Sequence, residues 1–190
     1  MTSLVGILSL ISALTATSSA ISCMQCASVS STCSGDSITC VDGSVCGSSY
    51  TQTFIDVMRI ESLIRTCVPL SNCTYNSTVS TKQGIIGVGL SCCSTDDCTP
   101  TLPTFPIKSS IPNGVICPSC VSEESAWCYT SDTIQCTGDE NICFLQTTEI
   151  TGFVSTAMRG CATKSYCDLP RLLYNSRSTI KATYTCTSTA

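Results

Sequence analysis

Eighteen cysteines in two matching series constrain this 190-residue chain more than any other feature. They fall at 23, 26, 33, 40, 46, 67, 73, 92, 93 and 98, then at 117, 120, 128, 136, 143, 161, 167 and 186. Subtracting 94 carries 117, 120, 161, 167 and 186 onto 23, 26, 67, 73 and 92. Positions 128, 136 and 143 drift by one to three residues before the register recovers. A register kept at both ends, with small insertions between, is an internal duplication. The chain therefore folds as two copies of one disulfide-framed unit.

The end of the first copy, Ser91–Thr99, reads S-C-C-S-T-D-D-C-T. Neighbouring side chains on an extended strand point to opposite faces, so Cys92 and Cys93 take different partners. Cys98 is close enough to return to Cys93 as a small terminal loop, which leaves Cys92 to reach upstream. The second copy has no such closure: Thr187 stands where the ninth cysteine would be, and the sequence ends at Ala190.

Cysteine at nearly a tenth of the residues marks a disulfide scaffold in an oxidising compartment. Two small units with little core of their own need such staples. Met1–Ala20 reads as a secretory signal, with an apolar run from Leu4 to Leu14 and small residues Ser18-Ser19-Ala20 at the cleavage site. That run is too short to span a bilayer comfortably. Only Thr187–Ala190 follow Cys186, with no hydrophobic tail to signal a glycolipid anchor. The expectation is a secreted, extracellular protein with no membrane anchor. Charged residues are only 12% of the chain and the net charge is −4, so nothing electrostatic favours nucleic acid as a partner.

The expected domains are 21–99 and 114–190, joined by a Pro-rich linker at 100–113. The linker's four prolines (Pro100, Pro103, Pro106, Pro112) remove backbone donors and resist regular structure, although Phe105 and Ile107 are suited to packing between the copies. Within the copies, Val45–Phe54 and Val57–Val68 are rich in Val, Ile, Thr and aromatics and read as a strand pair turning at Ile55-Asp56. Ile142–Ile150 and Phe153–Cys161 repeat this around Thr151-Gly152. Ile85–Cys93 and Ala182–Cys186 read as closing strands. Ile60, Leu63 and Ile64 also fit a helical stripe, but Val154-Ser155-Thr156 in the second copy favours strand.

The first copy's spacing, C-x2-C-x6-C-x6-C-x5-C-x20-C-x5-C-x18-C-C-x4-C, resembles the ten-cysteine three-finger domain of the lymphocyte-antigen and urokinase-receptor family. The resemblance implies an all-β fold of two tandem disulfide-rich three-finger (snake-toxin-like) domains. It implies bridges Cys23–Cys46, Cys26–Cys33, Cys40–Cys67, Cys73–Cys92 and Cys93–Cys98. In the second copy it implies Cys117–Cys143, Cys120–Cys128, Cys136–Cys161 and Cys167–Cys186. The family's usual Asn after the last cysteine is Thr99 here. An incomplete second domain after a Pro-rich linker, with Pro112-Asn113-Gly114 before Cys117-Pro118, is similar to secreted two-domain gamma-type phospholipase A2 inhibitors. Amphibian sodefrin-precursor-like pheromone proteins share the plan. The implied function is a non-enzymatic binding protein, its partner another secreted or cell-surface protein such as a secreted phospholipase A2. The alternative is a signalling, pheromone-like protein recognised by a receptor.

Other chemistry finds little support. The Cys23-x2-Cys26 and Cys117-x2-Cys120 pairs have zinc-site spacing, but with no histidine and an even, repeated framework the expectation is structural bridges and no metal or cofactor. Without histidine there is no Ser-His-Asp or Cys-His pair, so no catalytic residues are assigned. Asp96-Asp97 and Glu123-Glu124 read as solvated loops and Asp139-Glu140 as a hairpin tip. Asn72-Cys73-Thr74 and Asn76-Ser77-Thr78 are glycosylation sequons, Asn76 being the freer position. The candidate binding residues are apolar groups on the fingers: Tyr50, Phe54, Ile55 and Met58 in the first copy, Phe144, Phe153, Met158 and Trp127 in the second. Each copy, once oxidised, is expected to fold alone, the second being the less stable.

Overall fold

The computed structural model describes residues 20–105, 109–150, 152, 154–168 and 180–188. The leader Met1–Ser19, Ile107 in the linker, Thr151 at the turn and Phe153 among the candidate binding residues lie outside this set. No helix among the described residues is long and apolar enough to cross a membrane.

The described chain is all-β. The first copy holds β1 (Ser22–Ser28), β2 (Asp36–Thr39), β3 (Ser44–Ile55), β4 (Met58–Pro69), β5 (Asn76–Ser80) and β6 (Ile85–Cys93). The second holds β7 (Pro112–Pro118), β8 (Cys120–Ser122), β9 (Thr133–Thr137), β10 (Ile142–Ile150), β11 (Thr156–Ala162) and β12 (Ile180–Ser188). A 3-10 turn follows the central hairpin in each copy, at Leu70–Asn72 and at Lys164–Asp168. The helical stripe in Ile60–Ile64 does not materialise: paired strands on both sides hold β4 extended. The β3–β4 turn falls at Asp56-Val57, with Asp56 in the left-handed region at φ 52°. An Asp is among the few non-glycine residues that adopt that conformation readily.

Nine bridges use all eighteen cysteines, and none is free. They are Cys23–Cys46, Cys26–Cys33, Cys40–Cys67, Cys73–Cys92 and Cys93–Cys98 in the first copy. In the second they are Cys117–Cys143, Cys120–Cys128, Cys136–Cys161 and Cys167–Cys186. The buried sulfurs of Cys23, Cys40 and Cys46 form one knot and those of Cys117, Cys136, Cys143 and Cys161 the other.

Both copies contribute to a single ten-stranded sheet, ordered β12-β10-β11-β5-β6-β3-β4-β1-β2, with β8 also on β11 and a separate β7–β9 pair. The copies meet where β11 pairs β5, Cys161 opposite Ser80 and Ala162 opposite Val79. The largest apolar cluster sits on this seam: Val79 from the first copy packs with Phe144, Ala162 and Tyr166 from the second. Ile86, Val88 and Tyr75 flank it from one side, Met158 and Tyr184 from the other. Besides the cystine cores within each copy, this cluster is thus a core shared between them.

Candidate binding surface

Pairing register sorts the first copy's side chains onto two faces, because directly opposed residues of an antiparallel pair share a face. One face carries Tyr50 with Leu63, Gln52 with Glu61, and Phe54 with Arg59. Gly87 and Gly89 of β6 lie beside Gln52 and Tyr50 on it. The linker covers this face: a Cβ on Gly89 would lie 2.6 Å from Pro103, and one on Gly87 2.9 Å from the Phe105 ring. Phe105 stacks on Tyr50 with ring centres 6.0 Å apart. The Tyr50 hydroxyl donates to Glu61 at 2.7 Å, and Arg59 pairs with the same carboxylate. Tyr50, expected at a finger tip surface, is therefore only 3% exposed. Phe54 is exposed on this same face, beneath the Arg59 guanidinium at 5.9 Å.

The opposite face is open. Ile55 is opposed by Met58, Thr53 by Ile60 and Ser49 by Ile64, so these side chains stand in one row. Met58 is 58% exposed, Ile60 45% and Ile64 51%, and Val57 at the turn is 99% exposed. On the same face Ile86 stands beside Thr53 and Val88 beside Thr51, running into the shared core. An apolar strip thus extends from the β3–β4 turn to the seam. Val57, Ile60 and Ile64 were absent from the residues expected on sequence grounds. Their signal was the alternation Met58-x-Ile60-x-Ser62-x-Ile64, which the competing helical reading obscured.

The second copy behaves differently. Phe144 is 3% exposed, edge-on to Tyr166 at 5.3 Å, so it is core where a contact residue was expected. Met158 is half-buried against the same cluster. Trp127 is exposed, packed edge-on against Tyr129 at 5.6 Å with Arg159 at 5.9 Å over its ring. Of the acidic pairs, Glu123 and Glu124 are exposed. Glu140 is buried at the seam, accepting the Ser80 hydroxyl at 2.9 Å, so the second hairpin-tip residue is an inter-copy contact. Asp96 and Asp97 are exposed yet tied down: Asp96 accepts the Ser22 amide at 2.8 Å, and the Asp97 amide donates to the Ser22 carbonyl at 2.7 Å. These bonds hold the Cys93–Cys98 loop against β1.

Asn72 ends the first 3-10 turn and accepts the Ser71 hydroxyl at 3.0 Å. Asn76 opens β5, exposed, its amide donating to the linker carbonyl of Thr104 at 3.3 Å. The sulfurs of Cys23, Cys40 and Cys67 lie within 4.8 Å of one another, as do those of Cys117, Cys136 and Cys161. Each trio is crowded because two bridges pack side by side, and bridged sulfurs have no thiolate to offer a metal. A cleft of about 730 Å³ opens between the copies, lined among others by Phe54, Ile85, Phe105, Asn76, Asn141 and Lys164. The surface is suited to contact, with apolar side chains held on a cross-linked frame.

A family model for the u-PAR/Ly-6 domain matches residues 19–101 and again residues 113–190. The phospholipase A2 inhibitor 25 kDa subunit of Naja kaouthia is 27% identical over 164 residues, 82% of this chain and 84% of that one. The phospholipase A2 inhibitor NAI of Notechis ater is 26% identical over 162 residues, 82% of this chain and 78% of that one. A gamma-subunit phospholipase A2 inhibitor of Laticauda semifasciata is 32% identical over 100 residues, 50% of this chain and 55% of that one. With both cysteine-framed copies matched separately by the same domain, the chain belongs to the u-PAR/Ly-6 domain family.

Proposed function

We propose that the protein is a secreted, non-enzymatic binding protein that masks the surface of a secreted phospholipase A2. The observation that carries this reading is the open apolar strip from Val57 and Met58 to Ile64, on a sheet whose other face carries the linker over Tyr50, Gly87 and Gly89. Similarity to named inhibitors over about four-fifths of the chain supports the choice of partner. Release from the cell after cleavage near Ala20, and glycans at Asn76 or Asn72, belong to the same reading.

Apolar burial drives such a contact. Met58 and Ile60 are about half exposed, so covering each is worth ~1 kcal/mol. A stable protein–protein contact buries ~1,600 Å² in total, more than one finger tip presents. The strip's continuation over β6 to the seam therefore belongs to the footprint. The test is calorimetry of the purified chain against a panel of secreted phospholipases A2, with lipid-hydrolysis assays alongside. Binding at micromolar concentration or tighter, with no lipid cleavage by the chain itself, is the expected result. No binding to any of the panel, together with a response of receptor-bearing sensory tissue to the protein, would replace this reading with the signalling one.

A further inference from the structure

The seam between the copies is a one-way joint. The second copy's β11 uses its outer edge twice: its first half pairs β8, from Ala157 opposite Ser122 to Arg159 opposite Cys120. Its last two residues pair β5 of the first copy. The first copy's β4 is built the same way, with Leu63 opposite Ser28 and Arg65 opposite Cys26, both pairs lying 94 positions earlier. Beyond Arg65, among the described residues, no strand pairs the outer edge of β4. The duplication thus presents two equivalent edges, and β5 occupies one of them.

The residues on the occupied edge fit an incoming strand closely. Gly160 has no Cβ, and one built there would lie 2.1 Å from the Ser80 carbonyl oxygen. The Thr163 amide donates to the Thr78 carbonyl at 3.0 Å, and the Thr78 amide donates to the Thr163 hydroxyl at 3.1 Å. Ser119 accepts the Lys82 amide at 2.9 Å, and Tyr166 and Ala162 pack against Val79. The equivalent positions in the first copy, 94 earlier, are Thr66, Pro69, Gln25, Asn72 and Val68. Thr66 has the Cβ that Gly160 lacks, against the carbonyl of any strand approaching in the same way. Pro69 has neither the amide hydrogen nor the hydroxyl that Thr163 supplies. An open strand edge invites further strands, and proline or a protruding side chain is how such an edge is closed.

We infer that Gly160 and Thr163 make the second copy the acceptor for the β5–β6 hairpin of the first, while Thr66 and Pro69 close the matching edge of the first copy. A head-to-tail joint that closed on neither side would propagate from chain to chain. Here it forms once and ends. The occupant of the acceptor edge is β5 of the same chain, and the inference stands whichever partner the fingers bind.

Two full-length variants test this. In G160T/T163P the second copy carries the first copy's residues. Non-reducing mass spectrometry should still show nine bridges, the radius of gyration by small-angle scattering should rise, and the Thr78 amide should exchange about 100-fold faster. The milder T163V, which keeps the amide but removes the hydroxyl acceptor, should speed the Thr78 amide about tenfold. Adding T66G/P69T to the first variant frees β5 and opens β4 together. That chain should sediment faster than wild type, increasingly so with concentration. A compact G160T/T163P chain with a protected Thr78 amide, or a four-fold variant no more associated than wild type, overturns the inference.

Discussion

Three tyrosines at the seam, Tyr75, Tyr166 and Tyr184, connect single residues to pH. Burial pushes the Tyr75 hydroxyl up to about 12, although its 2.8 Å hydrogen bond to Ser77 pulls the other way. Burial raises Tyr166 and Tyr184 as well. An unfolded tyrosine titrates near 10, so the neutral forms favour the folded state. Their contribution is fully present below pH ~10 and is lost as pH rises towards the folded values. A denaturant midpoint that is flat to about pH 10 and falls above it, parallel to an absorbance titration of tyrosine, is the expected result. The neighbouring Phe144 supports a larger effect: Phe144→Ala should cost ~3–5 kcal/mol, read as a denaturation shift, because it opens a cavity lined by both copies. That Phe144 and Tyr50 are core residues was not legible in the sequence. An aromatic on a finger strand looks alike whether a linker or a second domain lies over it.

At the level of elements, the hairpins and the closing strands were legible because β-branched and aromatic runs mark them. The tie between β1 and the terminal loop was not, because it is made by backbone groups of Ser22 and by acidic residues that otherwise read as solvated. That loop gives its own prediction. Cys93→Ser with Cys98→Ser should lower stability by ~2 kcal/mol on loop-closure grounds, measured by denaturation under non-reducing conditions. The Ser22 amide should lose its hydrogen-exchange protection in the same variant, since Asp96 then has no fixed position. The β4 strand shows why face assignment needs three dimensions. The spacing of Ile60, Leu63 and Ile64 fits a helix, yet as a strand it buries Leu63 and exposes the other two. The candidate contact surface was therefore only partly legible, with Met58 anticipated and Ile60 and Ile64 not.

At the scale of the whole molecule, the 94-residue register made the duplication legible, but not that the copies share one sheet and one core. Sequence reading treats repeats joined by a Pro-rich linker as separate units, and on that basis each copy is expected to fold alone. Val79, Phe144, Ala162 and Tyr166 would be uncovered if the copies parted, so the joint couples them. Trp127, the sole tryptophan, reports on the second copy. Its fluorescence transition in denaturant should coincide with the far-ultraviolet transition of the whole chain. Two separated transitions would mean that the shared core contributes little. The joint also sets the open strip and the second copy's Trp127 and Tyr129 on one frame, so contact residues on the strip can be tested against an exposed aromatic of the other copy. The most direct measurement compares inhibition of a secreted phospholipase A2 by wild type, by Met58→Asp with Ile60→Asp, and by Tyr129→Asp. The account predicts that the first variant weakens inhibition at least about tenfold, or ~1.4 kcal/mol, with unchanged stability, while the second inhibits like wild type. Equal inhibition by all three proteins would contradict it.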